Sequence, residues 1–529
     1  MLKKFSLYYH TIKYLKWVQI RYQLWYKSRN ILRKVSGFKY NFDKTSPDFE
    51  KISFKRDLDN HITYLGNKYF SFLNINHSFE GDIDWDFLKF GKLWTYNLNY
   101  FEYLNQENSI QYQTEYIDLI NDFILKLPQL KNANEPFPTS VRIINWVKFI
   151  NKYNIFSHRI LSSLYSQLYV LNDNKEYHLL GNHLLENGFA LVFGGVFFQD
   201  KYIFNQGKSI ILEQLEEQIL NDGAHFELSP MYHSLMLHRV LDILNILQSN
   251  SKLIDKILGN QDHFVDFIKG KALIMAGWLV KIMYKDGTIP HFNDSTDGIA
   301  LEPKTLLNYA HLLGLKISGY ELSDSGFRKL KNENFNIIVK VGNIGPDYIP
   351  GHAHADSLSF ECRVASHPFI VDTGISTYEK NEIRQMQRST MMHNTVTVNY
   401  RNSSNVWGGF RVAHRASAFI ISESSTNLLT YHNGYKSAHK RNFILSETTY
   451  YIVDEIYSKS AVATFHFHPD IDLKMVENGI KTNIAMITFE GAKDIRVSDY
   501  QYCLGFNKSI RAQKVSVDFE NIIKTKISL

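Results

Sequence analysis

The sequence predicts a two-part protein, an N-terminal (α/α) incomplete toroid followed by an antiparallel β-sandwich. From about Trp94 to Leu315 apolar residues recur three and four apart, the spacing of helices that bury one face. After a polar stretch, Glu321 to Asn336, the texture changes to short alternating runs separated by Gly, Asn, Asp or Ser, the mark of strands. A third observation is a loose period in the helical part: Asn97 with Asn99, Arg142 with Asn145 and Trp146, Asn182 with His183, Tyr232 with His233, then Trp278. The steps between first members are 45, 40, 50 and 46 residues, the length of a helical hairpin with its loops. Clusters repeating at that interval are expected to meet around one rim.

A chain of 529 residues exceeds one ordinary core. The expected units are an arm at 1–42, the toroid at 43–330 and the β-sandwich at 331–529. In the last unit the expected strands include Ile337–Val341, Leu358–Val364, Phe369–Val371, Thr395–Asn399, Phe419–Ile421, Phe443–Leu445, Thr449–Val453, Ala463–His468 and Ala485–Phe489. With 44% hydrophobic and 21% charged residues the composition is globular. Two cysteines, Cys362 and Cys503, make no disulfide framework. Cys362 alternates with Leu358, Phe360 and Val364 and reads as a buried strand residue.

The net charge of +6 is uneven. Residues 1–42 hold ten Lys or Arg and no Asp or Glu, leaving 49 basic against 53 acidic residues elsewhere. No nucleic-acid partner is expected. The arm, Phe5 to Leu32, mixes its cations with Tyr, Trp, Leu and Ile. His10, Lys13 and Lys16 interrupt the apolar run, so it reads neither as a secretory signal nor as a spanning helix. It supports two readings, peripheral contact with an anionic membrane or a helix packed on the body. A cytoplasmic location, or one peripheral to the inner membrane, is the corresponding expectation.

Three segments could carry chemistry. Asn182-His183-Leu184-Leu185-Glu186-Asn187 opens an apolar run containing Gly194-Gly195, where glycines would let helices approach. Its amide and imidazole are either simple helix caps or donors to an anion. In Asp222–His233, Ser229 followed by Pro230 reads as an N-cap and first helical residue. Tyr232 would then sit in the first turn, where the helix dipole would ease its ionisation. In Gly351-His352-Ala353-His354-Ala355-Asp356, the two imidazoles face one way on an extended strand. With Asp372 of Val371–Gly374 and His393 of Arg388–Thr395, they offer the nitrogen and oxygen donors that zinc prefers.

In this order, these segments resemble the successive motifs of the heparinase II/III-like family, over roughly residues 90 to 460. Pro138–Trp146 (PTSVRIINW) and His432–Tyr435 add to the likeness. The resemblance implies a polysaccharide lyase acting on an acidic, uronate-containing polysaccharide by β-elimination. Position by position, Asn182 and His183 would neutralise the uronate carboxylate, Tyr232 would be the proton donor and His352 its partner base. Arg142, Trp146 and His233 would bind substrate. His354, Asp372 and His393 would hold one organising zinc ion, with His466 or His468 as substitutes for His393. Ala353 stands where the family often has Gly. The family also implies work outside the cytoplasm, with the periplasm as alternative. The lack of an export signal favours a bacterial exopolysaccharide over an animal polymer.

Such residues suit elimination, because hydrogen bonds to the carboxylate stabilise the charge that develops as the neighbouring proton leaves. Hydrolysis would instead need two carboxylates flanking the bond. Two rival readings remain: a metallohydrolase, since His352, His354 and Asp356 match H-x-H-x-D, and a non-catalytic carbohydrate-binding or assembly protein on a membrane.

Overall fold

The computed structural model describes residues 2–529; residue 1 of the expected arm lies outside the described residues. The arm forms two helices, Leu2–Ile12 and Trp17–Val35, separated by a short break. The first leans on the β half, where Tyr8 meets Trp407 edge-on and His10 lies 3.7 Å from His414. The second leans on the helical half through Tyr22, stacked on Tyr177.

Helices then follow one another from Lys92–Tyr100 to Pro303–Leu312. Their apolar faces, among them Ile143, Trp146, Leu164, Leu191, Ile211, Leu241 and Leu279, close on one another in a single core. Gly194-Gly195 permits the tight approach expected of it: a Cβ on Gly195 would lie 2.6 Å from the Phe204 backbone nitrogen. The helix Pro230–Ser249 begins as its sequence dictates, with the Ser229 hydroxyl accepting from the Tyr232 amide and Pro230 at the first position.

The last helix of the first half ends at Leu312, a short helix Glu382–Gln387 returns later, and the first strand of the second half is Phe327–Lys331, which the expected boundary at 330 cuts through. That strand opens a four-stranded antiparallel sheet with Phe335–Lys340, Phe360–Val364 and His367–Ile370. Facing it is a nine-stranded antiparallel sheet whose centre is Thr449–His466 paired with Lys508–Ser528. Ile337, Phe360, Cys362 and Phe369 of the first sheet share one core with Phe443, Ile452, Phe465 and Val517 of the second. Thr449–Val453 and Ala463–His468, expected as separate strands, belong together: one strand runs from Thr449 to His466 across a bulge. The terminal hairpin Met486–Gly505 and Lys508–Ser528 extends far beyond the expected Ala485–Phe489.

Candidate active site

The two halves meet at a buried carboxylate. Asp294 lies in the loop between the helices Asp262–Ile282 and Pro303–Leu312, with no solvent exposure. Its carboxylate accepts from His352 Nδ1 and from His354 Nε2, both at 2.8 Å, and Arg384 grips both oxygens with two nitrogens. Burial works against its charge, yet the Arg384 guanidinium and the bonds from both imidazoles hold the carboxyl well below the usual carboxylate range. An ionised Asp294 accepts only. His352 therefore donates to it through Nδ1, which leaves Nε2 on the other side of the ring, 3.9 Å from Glu227.

Tyr232 lies against that ring. Its phenol and the His352 imidazole are 3.9 Å apart at an angle of 31°, and its hydroxyl is 3.1 Å from the hydroxyl of Tyr378. The expectation that the helix start eases ionisation of Tyr232 is overturned. Burial raises its pKa, the nearby Asp294 and Glu227 raise it further, and the bond to Tyr378 only partly opposes them. Desolvation of the phenolate outweighs the dipole. A phenol so held remains protonated and can donate.

Asn182 is the second residue of the helix Gly181–Phe197, entered through Leu180 and Gly181, both at positive φ, 64° and 60°. A non-glycine residue held there is strained, and here the turn presents Asn182 and His183 at the helix end. Glu176 lies 3.0 Å from His183 Nδ1. Burial pulls the pKa of His183 down, but the charge and hydrogen bond of Glu176 outweigh it, and the group ends above the usual histidine range. His183 also packs on Phe137, which lines the same cavity as Tyr232, Tyr378, Glu186 and Arg239.

Between these groups stands Glu227, which the sequence reading passed over. It is buried, neither of its oxygens has a partner, and it lies 3.9 Å from both His352 Nε2 and His225 Nδ1. A Cβ on Gly181 would come within 3.7 Å of its Oε1, so it joins the Asn182 segment to His352. Burial raises its pKa, partly opposed by His352 and His183. Asp294, Tyr378 and Arg384 were missed too. The one signal was the polar run His291-Phe-Asn-Asp-Ser-Thr296, unusual for a loop because Asn293 to Thr296 are all buried.

Three expected substrate contacts are corrected. Arg142 is fully buried and spends its donors on Gln167, Asn99, Ala133 and Thr139. Trp146 is packed edge-on against Phe101 and Phe123 in the core. His233 is buried with Nε2 3.0 Å from the Met275 carbonyl and Nδ1 accepting from the His225 amide. All three lie on helix faces that the toroid turns inward; the loose period marked the helices but not their outer rim.

Of the expected metal donors, His393 Nδ1 is 2.8 Å from Asp372 Oδ2, and the His354 and His393 rings are 5.2 Å apart. His354 Nδ1, His393 Nε2 and His466 Nε2 are buried without any partner. Bare imidazole nitrogens beside a carboxylate fit zinc's donor chemistry. Among the described residues, however, no three such side chains are gathered at metal-holding separations. His468, the other substitute, is half-buried beside Tyr502 and 3.4 Å from Asp470. Asp356 is committed to Lys340, with both oxygens within 2.8 Å of its ammonium, and this removes the carboxylate that the H-x-H-x-D reading needs.

Comparison with known families decides the lineage. The model for the heparinase II/III N-terminus matches residues 8–312, and the model described as heparinase II/III-like, C-terminal, matches residues 318–528. The chain belongs to the heparinase II/III family. Its fold is that of a heparinase III crystal structure, with a TM-score of 0.67 at 16% identity over 97% of this chain and 91% of that one. A heparan sulfate lyase structure from Pedobacter heparinus gives 0.53 at 16% identity, over 87% and 81%. Among curated proteins, a heparin-sulfate lyase of Bacteroides stercoris is 22% identical over 358 residues, 61% of this chain and 50% of that protein. The heparin-sulfate lyase of Pedobacter heparinus is 26% identical over 286 residues, 47% and 40% respectively. In these alignments the chain spans half or less of its curated relatives' length. The toroid-plus-sandwich architecture is thus a family property, and in this member the seam between the two parts carries Asp294, His352 and Tyr232.

Proposed function

We propose that this heparinase II/III family member is a lyase that cleaves a uronate-containing polysaccharide by β-elimination. The observation that carries the reading is the His352–Tyr232 stack, with Asp294 fixing the far nitrogen of the imidazole. In the proposed step, His352 Nε2 takes the C5 proton of the uronate. The electron pair forms the C4–C5 double bond, the C4–O bond breaks, and Tyr232 protonates the leaving oxygen. The Asn182 amide and the His183 imidazole stabilise the carboxylate as charge accumulates on it. Glu176, by favouring the protonated form of His183, strengthens that role.

The polymer proposed is a bacterial exopolysaccharide and not a densely sulfated chain. Support comes from the cavity beside Tyr232, lined by Phe72, Leu93, Val141 and Met236, where Arg239 already pairs with Glu186 at 2.8 Å and faces Glu102 at 3.7 Å.

One zinc ion is proposed at His354, His393 and Asp372, with His466 as a further donor, supported by the three unpartnered imidazole nitrogens. Bound there it would supply a fixed positive charge that organises the wall behind His352. Zinc content measured on the purified protein is expected to fall away in His354→Ala; unchanged zinc would remove His354 from the site.

The test of the whole reading is Tyr232→Phe, assayed on a panel of uronate polymers by the ultraviolet absorbance of unsaturated ends. A fall of about 10²–10⁴-fold is expected. Full activity in that variant would reject the assignment of Tyr232, and absence of unsaturated product from every polymer with the unmutated protein would reject the lyase reading.

A further inference from the structure

The arm packs the wrong way round for an ordinary surface helix. A helix laid on a globular body buries its apolar stripe and turns polar residues to water. In Trp17–Val35 the inward face is polar and aromatic: Gln19 Nε2 donates to the Leu179 carbonyl at 3.0 Å, Tyr26 donates to the Lys175 carbonyl, and Arg29 donates to the Asp173 carbonyl and to Asn174 Oδ1, each at 2.6 Å. Arg33 pairs with the Asp173 carboxylate at 2.7 Å. The opposite face carries Trp17, Leu24, Trp25, Ile31, Leu32 and Val35, each more than half exposed. Their spacing of three, four and seven places them in one stripe along the helix. Leu2–Ile12 repeats the arrangement, with Phe5, Tyr9 and Ile12 outward while Tyr8 packs on Trp407 and Thr11 accepts from Trp407 Nε1 at 3.3 Å.

The concentration of apolar surface is local. Eleven of the thirty exposed large apolar side chains among the described residues fall between positions 5 and 38, a segment of 34 residues in a chain of 529. A contiguous exposed stripe of this kind marks a binding surface, whereas scattered exposed side chains need no explanation. The charge around it has one sign. Lys13, Arg21, Lys27, Lys34 and Lys39 are exposed within or beside the stripe, and residues 1–42 contain no carboxylate side chain. No helix of the described residues is long and apolar enough to cross a membrane.

We propose that residues 2–38 are an in-plane membrane anchor, two amphipathic helices that insert their outward stripes at the surface of an anionic phospholipid bilayer. Apolar side chains with Trp and Tyr at the boundary and a purely cationic margin are what such a surface recognises. Because one helix rests on the β half and the other on the helical half, the anchor would hold both halves against the same membrane face.

The test uses the full-length protein and sedimentation with vesicles of phosphatidylcholine alone or with one third phosphatidylglycerol. Binding is expected to the anionic vesicles, weakened by salt. The quadruple variant Leu24→Ser, Trp25→Ser, Ile31→Ser, Leu32→Ser should partition about tenfold less or weaker still. Its melting temperature and circular dichroism are read alongside; these side chains face solvent, so both should match the parent. Should the variant fail to fold, Lys27→Glu with Lys34→Glu gives the same readout through charge. Full-length protein that stays in the supernatant with anionic vesicles overturns the proposal, as does equal binding to both vesicle types. A stripe that instead mediates self-association, with the quadruple variant monomeric and no vesicle binding, assigns the surface to a second copy and also overturns it.

Discussion

Asp294 and Asp454 are both buried carboxylates that hold an arginine and histidine, and they sit in different parts of the molecule. Within the sandwich, Asp454 accepts from His439 Nε2 at 2.7 Å and from Arg441 at 2.6 and 3.0 Å. His439 Nδ1 is 3.1 Å from His432 Nε2, and His432 Nδ1 accepts from the Gly434 amide, so every imidazole nitrogen is used. At the seam, Asp294 holds His352, His354 and Arg384, but His352 keeps 14% of its side chain exposed, and Glu227 beside it has no partner. A saturated network fixes structure; one with a partly exposed imidazole and an unpartnered carboxylate beside it is equipped for proton transfer. What separates them is the unused valence, not the residue types.

Four measurements break or sharpen this contrast. His352→Gln keeps a donor toward Asp294 but removes the base, and turnover of a uronate polymer is expected to fall about 10²–10⁴-fold with little change in melting temperature. Full turnover in that variant would erase the distinction between the two sites. Asp454→Asn leaves Arg441 buried without its counter-charge, and denaturant unfolding should show a loss of about 3–5 kcal/mol while the folded fraction stays active. A third measurement follows the pH dependence of stability. Burial opposes ionisation of Asp454, but Arg441 and His439 lower its pKa from 3.8 to about 2. Its contribution is therefore present above the unfolded value and lost as the pH falls from about 4 to about 2, amounting to about 2 kcal/mol. Parallel stability curves for the parent and Asp454→Asn across that window would refute it. The smallest effect is expected of Tyr378→Phe, which removes one hydrogen bond to Tyr232 and should cost about tenfold or less in turnover.

Much of this architecture was legible. Ser229-Pro230 announces a helix start through local chemistry alone, and alternation identifies the strands around Cys362 because one face of each is buried. His352 and His354 stand out as two imidazoles one residue apart, but the strand expected to carry them starts only at Phe360, and both lie in the irregular segment before it, where Asp294 and not strand alternation aligns them. Other features resist such reading. Asp294 and Glu227 acquire meaning only from partners 58 and 125 residues away in His352. Arg142 looks like a recognition residue in sequence, but its surroundings are backbone carbonyls and amides that sequence does not display. The terminal hairpin hides because its outward face is charged along most of its length, with few turn residues to mark its ends.

The seam has a consequence for how this chain comes to life in a cell. Asp294 belongs to the helical half, while every side chain that it orients belongs to the β half, which is synthesised later. A nascent chain that has completed only its helices holds Tyr232 without an imidazole to face it. Completion of both halves is thus built into the wiring of the seam, and a half-made molecule has Asp294 without any of the side chains that it orients.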